Sequence, residues 1–444
     1  MPIFHPDLAA RTVPRYTSYP TAAQFHEGVT AADQARALAA IAPDAPIALY
    51  LHIPFCRQIC WYCGCNTGVA ANDRLRRYEK ALLIEIATVA SLCRGRVTAI
   101  NFGGGSPNAL AAPVLARIIA ELRRQFAVAD DAEIAMELDP RAIRPGDAEQ
   151  LAAAGVNRIS LGVQTFAPHV QKLINRIQPF AMIADAVAQF RAAGIDAINF
   201  DLMYGLPGQS VVDLTETIDQ AIALQPSRVA VFGYAHMPSA IPRQRMITDL
   251  DLPGPAARFA MSSTANRLFR QAGYAVIGFD HFALPDDSLA QAAAAGTLIR
   301  NFQGYATAPG NGAGTALIGL GATAISQFSG SQFPGLIVQN DKHLAGWEAR
   351  VNAGGLAGWR GVVVNEDDSS RAAIIERLLC DGEADVPPSL EPALAQLAGH
   401  AARGLVRLHG RHVALTPDGW PYARLIASAF DAHLQAPQRH SCAV

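Results

Sequence analysis

The sequence predicts an α/β fold on a parallel sheet of six βα units, preceded by an extended arm over 1–44 and followed by a small, mostly helical domain over 331–444. Three observations predict it. A short apolar strand followed by a helix-compatible run recurs through 45–330 at the roughly 30-residue spacing of βα units. Each strand candidate ends in, or leads into, polar or glycine residues, as the C-terminal rim of a parallel sheet does where it carries a site. After residue 285 the period gives way to glycine-rich sequence and then to helical runs.

In chain order, the arm contains "PRYTSYP" (14–20). The strand candidates are "PIALYLHI" (46–53), "VTAINFGGG" (97–105), "EIAMELDP" (133–140), "RISLGVQ" (158–164), "AINFDLMYGLP" (197–207) and "RVAVFGYAH" (228–236). Between them lie helical runs such as "RLRRYEKALLIEIATVASL" and "VVDLTETIDQAIAL". A cysteine-rich stretch follows the first strand and "GGGSP" the second. The third ends in Glu137 and Asp139, the fourth in Gln164, the fifth at Asp201 and the sixth at Ala235 and His236. "RNFQGYATAPGNGAGTALIGLGATAISQ" reads as loops near the site, and "GLVRLHGRHVALTPDGW" as a terminal hairpin in the helical domain. Six such units suit either an open doubly wound sheet or an incomplete TIM-like barrel.

Half the residues are apolar, 17% are charged and the net charge is −2. No basic excess points to nucleic acid, no polybasic run to a membrane surface, and no apolar run reaches the ~18 residues of a membrane span. The first residues, "MPIFHPDLAARTVPRY", show no basic stretch followed by an apolar core, so no secretory signal is expected. Seven cysteines, with Cys93, Cys380 and Cys442 scattered, do not make a disulfide framework, and a reducing cytoplasm is expected.

The other four cysteines, Cys56, Cys60, Cys63 and Cys65, fall in "HIPFCRQICWYCGCN" (52–66). Thiolates are soft ligands, and close groups of them bind zinc or iron–sulfur clusters. Zinc usually takes two separated C-x-x-C pairs or a Cys/His set, and no second pair lies nearby. C-x₃-C-x₂-C offers three thiolates on one loop, the number that leaves one iron of a [4Fe–4S] cluster open. Cys65 is either a fourth ligand or a bystander. With only Gly64 between Cys63 and Cys65, the better ligand set is Cys56, Cys60 and Cys63. Buried cysteines as small apolar fillers are the bland alternative.

This spacing resembles that of the radical S-adenosylmethionine superfamily. "LYLHIPFCRQICWYCGCN", "NFGGGSPNAL", "MELDPR", "GVNRISLGVQTFAPHVQKLINR", "INFDLMYGLPGQS", "VFGYAHMP", "GFDHFALPDD" and "RNFQGYAT" together resemble, in order, the oxygen-independent coproporphyrinogen III oxidases of haem biosynthesis. The likeness runs from "PRYTSYP" to "WRGVVV" (359–364). It implies an incomplete TIM-like (βα)6 barrel over 45–330, a [4Fe–4S] cluster and two molecules of S-adenosylmethionine. Coproporphyrinogen III would be the substrate and the protein a monomer; the sequence does not name the electron donor or acceptor.

The resemblance also assigns residues. Tyr50 would contact the first S-adenosylmethionine, or be only an interfacial strand aromatic. His52 would hydrogen-bond near the cluster or that cofactor, or be a satisfied core histidine. Gly104 would meet the first cofactor molecule, Gly105 and Ser106 the second; glycine admits close backbone approach, and exposed N–H groups can bind a carboxylate. Glu137 suits ribose hydroxyls or an ammonium, or a salt bridge to Arg141 or Arg158. Gln164, Arg176, Asp201, Ala235 and Ile325 match the second cofactor site. Asp201 suits a ribose diol, and Arg176 suits a substrate propionate or a helix end equally well. Arg15 and Arg300 are candidates for the substrate's propionates.

The implied reaction is hydrogen-atom removal from a propionate β-carbon by a 5′-deoxyadenosyl radical, then loss of CO₂ and one electron to leave a vinyl group. No side-chain general base is required. Two rivals remain: a related haem chaperone, whose family looks shorter at the N-terminus and lacks the cysteine equivalent to Cys65, and another tetrapyrrole-modifying radical enzyme. An electron-transfer ferredoxin would leave the rest of the chain unexplained.

Overall fold

A computed structural model describes residues 2–307, 316–329 and 335–434. The "GNGAGT" segment and Cys442 lie outside the described residues. Twelve strands form one sheet: β1 Pro46–Ile53, β2 Arg96–Gly104, β3 Ala127–Leu138, β4 Arg158–Gln164, β5 Ala197–Tyr204, β6 Arg228–Gly233, β7 Ala275–Ile277, β8 His281–Ala283, β9 Ala316–Leu320, β10 Ile325–Phe328, β11 Gly335–Asn340 and β12 Gly358–Val364. Their order is β12-β11-β10-β9-β1-β2-β3-β4-β5-β6-β8-β7. The six strands expected from the sequence are its parallel centre, each beside its predecessor. β9 adds a further parallel strand next to β1, and antiparallel strands flank both sides.

Period-2 alternation divides the central strands into two faces. Ile47, Leu49, Leu51, Ile100, Ile134, Ile159, Leu161, Ile198 and Phe200 are fully buried in the main core. Helices Asn72–Leu92, Ala112–Gln125, Phe180–Ala192 and Val211–Ala223 cover that face with Tyr78, Leu82, Ile86, Leu115, Ile118, Phe190, Leu214 and Ile218. The last of these helices starts at a reciprocal cap, Ser210 Oγ accepting from the Asp213 N–H at 3.2 Å while Asp213 accepts from the Ser210 N–H at 2.8 Å. The opposite face carries small or polar residues, among them Ala48, Tyr50, Ala99, Asn101, Ala135, Glu137, Ser160 and Asp201, which line a cavity of about 630 Å³. The sheet thus stays hollow on that side.

Three expectations are corrected. The glycine-rich stretch after 299 is not all loop: it contains β9, β10 and the hairpin Leu298–Asn301/Gly304–Thr307. Gly319 on β9 is glycine because a Cβ there would lie 2.6 Å from the Ile325 carbonyl oxygen, a strand in close approach rather than a turn. The boundary expected at 330 cuts through the sheet, since β11 and β12 lie beyond it yet pair with β10 and each other. The arm is not wholly extended. Ala31–Ala39 is a helix, and Leu8, Val13, Tyr16 and Tyr19 pack into a second apolar cluster with Leu378, Leu405, Tyr422, Ile426 and Phe430. That cluster also receives helix Glu366–Cys380 and the hairpin Val406–His409/His412–Leu415, to which Glu383–Asp385 adds a third strand.

One buried acid joins the covering helices to the sheet. Glu85, 1% exposed, accepts from the Gly321 N–H at 2.6 Å, Asn340 Nδ2 at 2.8 Å and Trp347 Nε1 at 3.1 Å. Burial pushes its carboxyl up to about 7, and the three donors pull the other way. Glu85→Gln puts an amide donor where three donors converge. It is expected to lower the free energy of unfolding by ~1–3 kcal/mol in denaturant titration; wild-type stability would contradict this account.

Candidate active site

The cysteine loop leaves β1 and is closed at its base, where Phe55–Cys56 pairs with Gly68–Val69. Other segments hold it from outside. The Trp61 N–H donates to the Ile174 carbonyl at 3.1 Å, Asn175 Nδ2 to the Ile59 carbonyl at 2.9 Å, Gln244 Nε2 to the Tyr62 carbonyl at 2.8 Å and Arg243 Nη2 to the Thr67 carbonyl at 3.1 Å. Cys56, Cys60, Cys63 and Cys65 line one cavity of about 360 Å³. Cys60 Sγ accepts from Arg141 Nη2 and Arg176 Nη1, each at 3.3 Å. The Cys65 side chain and N–H hydrogen-bond Cys63 and hold its thiol below the usual range, while Cys65 itself is pushed well up. Burial raises Cys56 against the hydroxyls of Ser106 and Thr67. No three His, Cys, Asp or Glu side chains among the described residues are placed around a single ion. Thiolates that bind separate corners of a cube have no need to meet at one point.

The same cavity is lined by Gly104, Gly105, Ser106, Glu137, Gln164, Asp201 and Ala235, on or just beyond five successive strands, and by Arg176, which follows helix Pro168–Leu173. Gly104 has φ +103°, and a Cβ there would lie 2.5 Å from the His52 ring. The N–H groups expected to face a ligand are already used: Gly104 donates to Glu137 at 3.3 Å, Gly105 to the Ile53 carbonyl at 2.9 Å and Ser106 to the Phe55 carbonyl at 2.7 Å. What the glycines supply is close approach. Gln164 has φ +64° at a register shift between β4 and β5, strain in a non-glycine residue that keeps this end of β4 out of the regular ladder.

Glu137 and Asp201 form the acidic part. Burial, then the Asp201 charge, pushes Glu137 up to about 7; burial also raises Asp201, which accepts from Ser160 Oγ at 3.2 Å. Neither alternative salt bridge to Glu137 exists: Arg141 pairs with Asp139 at 2.7 Å, and Arg158 with Glu133 at 2.8 Å and Asp287 at 3.2 Å. Arg176 closes the end of helix Pro168–Leu173 with its backbone N–H, which donates to the Gln171 carbonyl at 2.8 Å, while its guanidinium donates to the Gly162 carbonyl at 2.7 Å and lies 3.6 Å from Asp139.

Three residues lie elsewhere. Burial lowers His52 to about 4, so its ring is neutral. Its Nε2 donates to the Asn66 carbonyl and its Nδ1 accepts from Tyr50 Oη, both at 3.2 Å. His52 lines neither cavity and acts as a spacer beneath Gly104. Tyr50 lines the larger cavity instead. Ile325, on β10 opposite Gln339, lines neither. Arg15 lines the cysteine cavity, donating to the Gly233 carbonyl at 2.6 Å, and Arg300 lines the larger one. Glu137, Ser160, Asp201 and Phe232 line both, so the two cavities meet there. Sequence reasoning missed Arg141 as a cysteine partner, although "MELDPR" contains it. Gln244 and Arg243 lie in no motif that could have pointed to them.

Residues 50–221 match the Radical SAM superfamily. The chain is 43% identical over 447 residues to an oxygen-independent coproporphyrinogen III oxidase of Bradyrhizobium diazoefficiens, covering 97% of each. It is 38% identical over 439 residues to the enzyme of that name from Escherichia coli, covering 96% and 94%. The solved structure of the Escherichia coli coproporphyrinogen III oxidase, described as a radical SAM enzyme, is similar with TM-score 0.87 and 37% identity over 95% of this chain and 98% of that one.

Proposed function

This chain belongs to the oxygen-independent coproporphyrinogen III oxidases of the radical SAM superfamily, and we propose from that premise how its own residues carry the reaction. It decarboxylates coproporphyrinogen III oxidatively, converting two propionates to vinyl groups and giving protoporphyrinogen IX. The observation that carries the residue assignment is one cavity in which three thiolates, a glycine turn and an acid pair converge, opening into a second at Glu137, Ser160 and Asp201. Cys56, Cys60 and Cys63 would hold the [4Fe–4S] cluster. The donors beside them suit such a group, since Arg176 Nε and Arg243 Nη1 are buried without a partner. When bound, the cluster and S-adenosylmethionine supply the electron and the hydrogen-abstracting radical.

The protein binds, orients and keeps water out. Glu137 would accept ribose hydroxyls of one S-adenosylmethionine beside Gly104. Gln164, Arg176, Asp201 and Ala235, with Gly105 and Ser106, hold a second. Tyr50, its hydroxyl proton committed to His52, forms part of the wall of the larger cavity. Ile325 takes no part. The larger cavity receives the macrocycle. Six free cysteines among the described residues suit a cytoplasmic protein. No helix among those residues is long and apolar enough to cross a membrane. The monomer expected from the resemblance is kept as part of this proposal.

Anaerobic reconstitution with iron and sulfide, then incubation with coproporphyrinogen III, S-adenosylmethionine, a reductant and an electron acceptor, is expected to give protoporphyrinogen IX and 5′-deoxyadenosine. Both should disappear in Cys56→Ala. Cleavage of S-adenosylmethionine with the porphyrinogen intact would contradict the assignment. Glu137 adds a pH test. Its raised carboxyl is largely protonated below about 7 and becomes an acceptor as pH rises through it. S-adenosylmethionine binding is expected to tighten up to roughly tenfold between pH 6 and 8, and Glu137→Gln to remove the rise. A rise that persists in the variant would assign it to another group.

A further inference from the structure

The cations of the larger cavity are committed in different ways. Arg158 and Arg228 are neutralised by Glu133 and Asp287, with Arg228 2.6 Å from Asp287. Arg300, 8% exposed, is not. Its Nε and Nη2 donate to the backbone carbonyls of Tyr16 at 3.2 Å and Arg15 at 3.3 Å. The guanidinium carbon lies 4.5 Å from the centroid of Tyr305 and 4.9 Å from that of Phe279. No carboxylate pairs with it among the described residues, and Nη1 is buried with no hydrogen-bond partner. Neutral carbonyls and aromatic faces hold a guanidinium in place without cancelling its charge.

His281 sits against the same ring, edge-on at 5.1 Å from Tyr305. Its Nδ1 is taken by Asp280 at 2.7 Å, which leaves Nε2 for the cavity that the residue lines. The titratable groups facing this corner are Arg15, Arg300, Arg424 and His281 on one side, and Asp201, Asp280 and Glu376 on the other. Glu376 accepts the Arg300 backbone N–H at 2.8 Å. Arg300 Nη1 is thus an unpartnered buried donor enclosed by the Phe279 and Tyr305 rings, with Arg15 and Arg424 near it.

We propose that Arg300 and His281, both set against Tyr305, form a carboxylate-anchoring subsite that holds one propionate of the tetrapyrrole while another reaches the cofactors at Glu137 and Asp201. The proposal rests on the functional reading above. A planar guanidinium fork matches a carboxylate, and His281, with Nδ1–H given to Asp280, offers an Nε2–H donor from a different strand in its imidazolium form. His281 lies level with Ala230 and, one strand further, Asp201, so an arm held there fixes the rotation of a macrocycle whose four arms are chemically alike.

Coproporphyrin III, the fluorescent oxidised form of the macrocycle, tests this by titration against the reconstituted protein, beside its tetramethyl ester in mild detergent. Arg300→Gln and His281→Gln are each expected to weaken binding of the free acid roughly 10- to 100-fold and to leave ester binding as in wild type. Arg300→Lys, which keeps the charge without the fork, should fall between. Cluster absorption of each variant reports that it has folded, and His281→Gln carries the test if Arg300→Gln does not. Wild-type affinity for the free acid in both Gln variants would overturn the subsite alone. Equal loss for acid and ester would overturn it too, since packing would then be the cause. A wild-type protein that binds neither porphyrin would overturn the functional reading together with the subsite.

Discussion

Two guanidinium groups meet at the sulfur of Cys60, and the placing of the cysteine loop against the sheet depends on them. Arg141 and Arg176 each donate to that sulfur, and both face Asp139 just beyond the end of β3. Arg141 also reaches Gln58 in the loop and the Asn175 carbonyl, while Arg176 holds the Gly162 carbonyl on β4. Loop, β3 and β4 are thus drawn to one point by charge-assisted hydrogen bonds in a site largely shut off from water, where such bonds are strong and an unpaired charge is costly. The Cys60 sulfur thus sits where two arginines face a single aspartate.

The sheet sets the second condition. Large branched residues fill its outer face, and alanine, serine and carboxylates occupy the inner one. Helices pack on one side, and the other stays open enough to take a macrocycle. The acid pair stands where the cysteine-lined cavity meets the larger one. Burial keeps Glu137 near neutrality, so the acid can lie close to Asp201 without two full charges repelling each other.

Much of this was legible in the sequence, for physical reasons that differ by element. The parallel strands were readable because each is an apolar run closed by polar or glycine residues. The cysteine loop was readable because soft ligands rarely cluster without purpose. β9 and β10 were hidden because glycine marks both turns and close strand contacts, and Gly319 is the second kind. The arm's packing was hidden because Tyr16 and Tyr19 find partners more than 350 residues away in sequence, beyond any local pattern. Tyr50 and His52 carry no sequence sign that one lines the larger cavity and the other lines neither; the Tyr50–His52–Asn66 chain of hydrogen bonds holds both rings in place. The loop N–H groups looked available because sequence cannot show that Ile53, Phe55 and Glu137 already accept from them.

The central claim is that Cys56, Cys60 and Cys63 hold the cluster and Cys65 does not. Electron paramagnetic resonance of the reduced, reconstituted protein tests it most directly, with and without S-adenosylmethionine. Cys65→Ser should keep a [4Fe–4S]⁺ signal that shifts when S-adenosylmethionine is added, and Cys63→Ser should lose it. A signal that survives in Cys63→Ser and vanishes in Cys65→Ser would contradict the account.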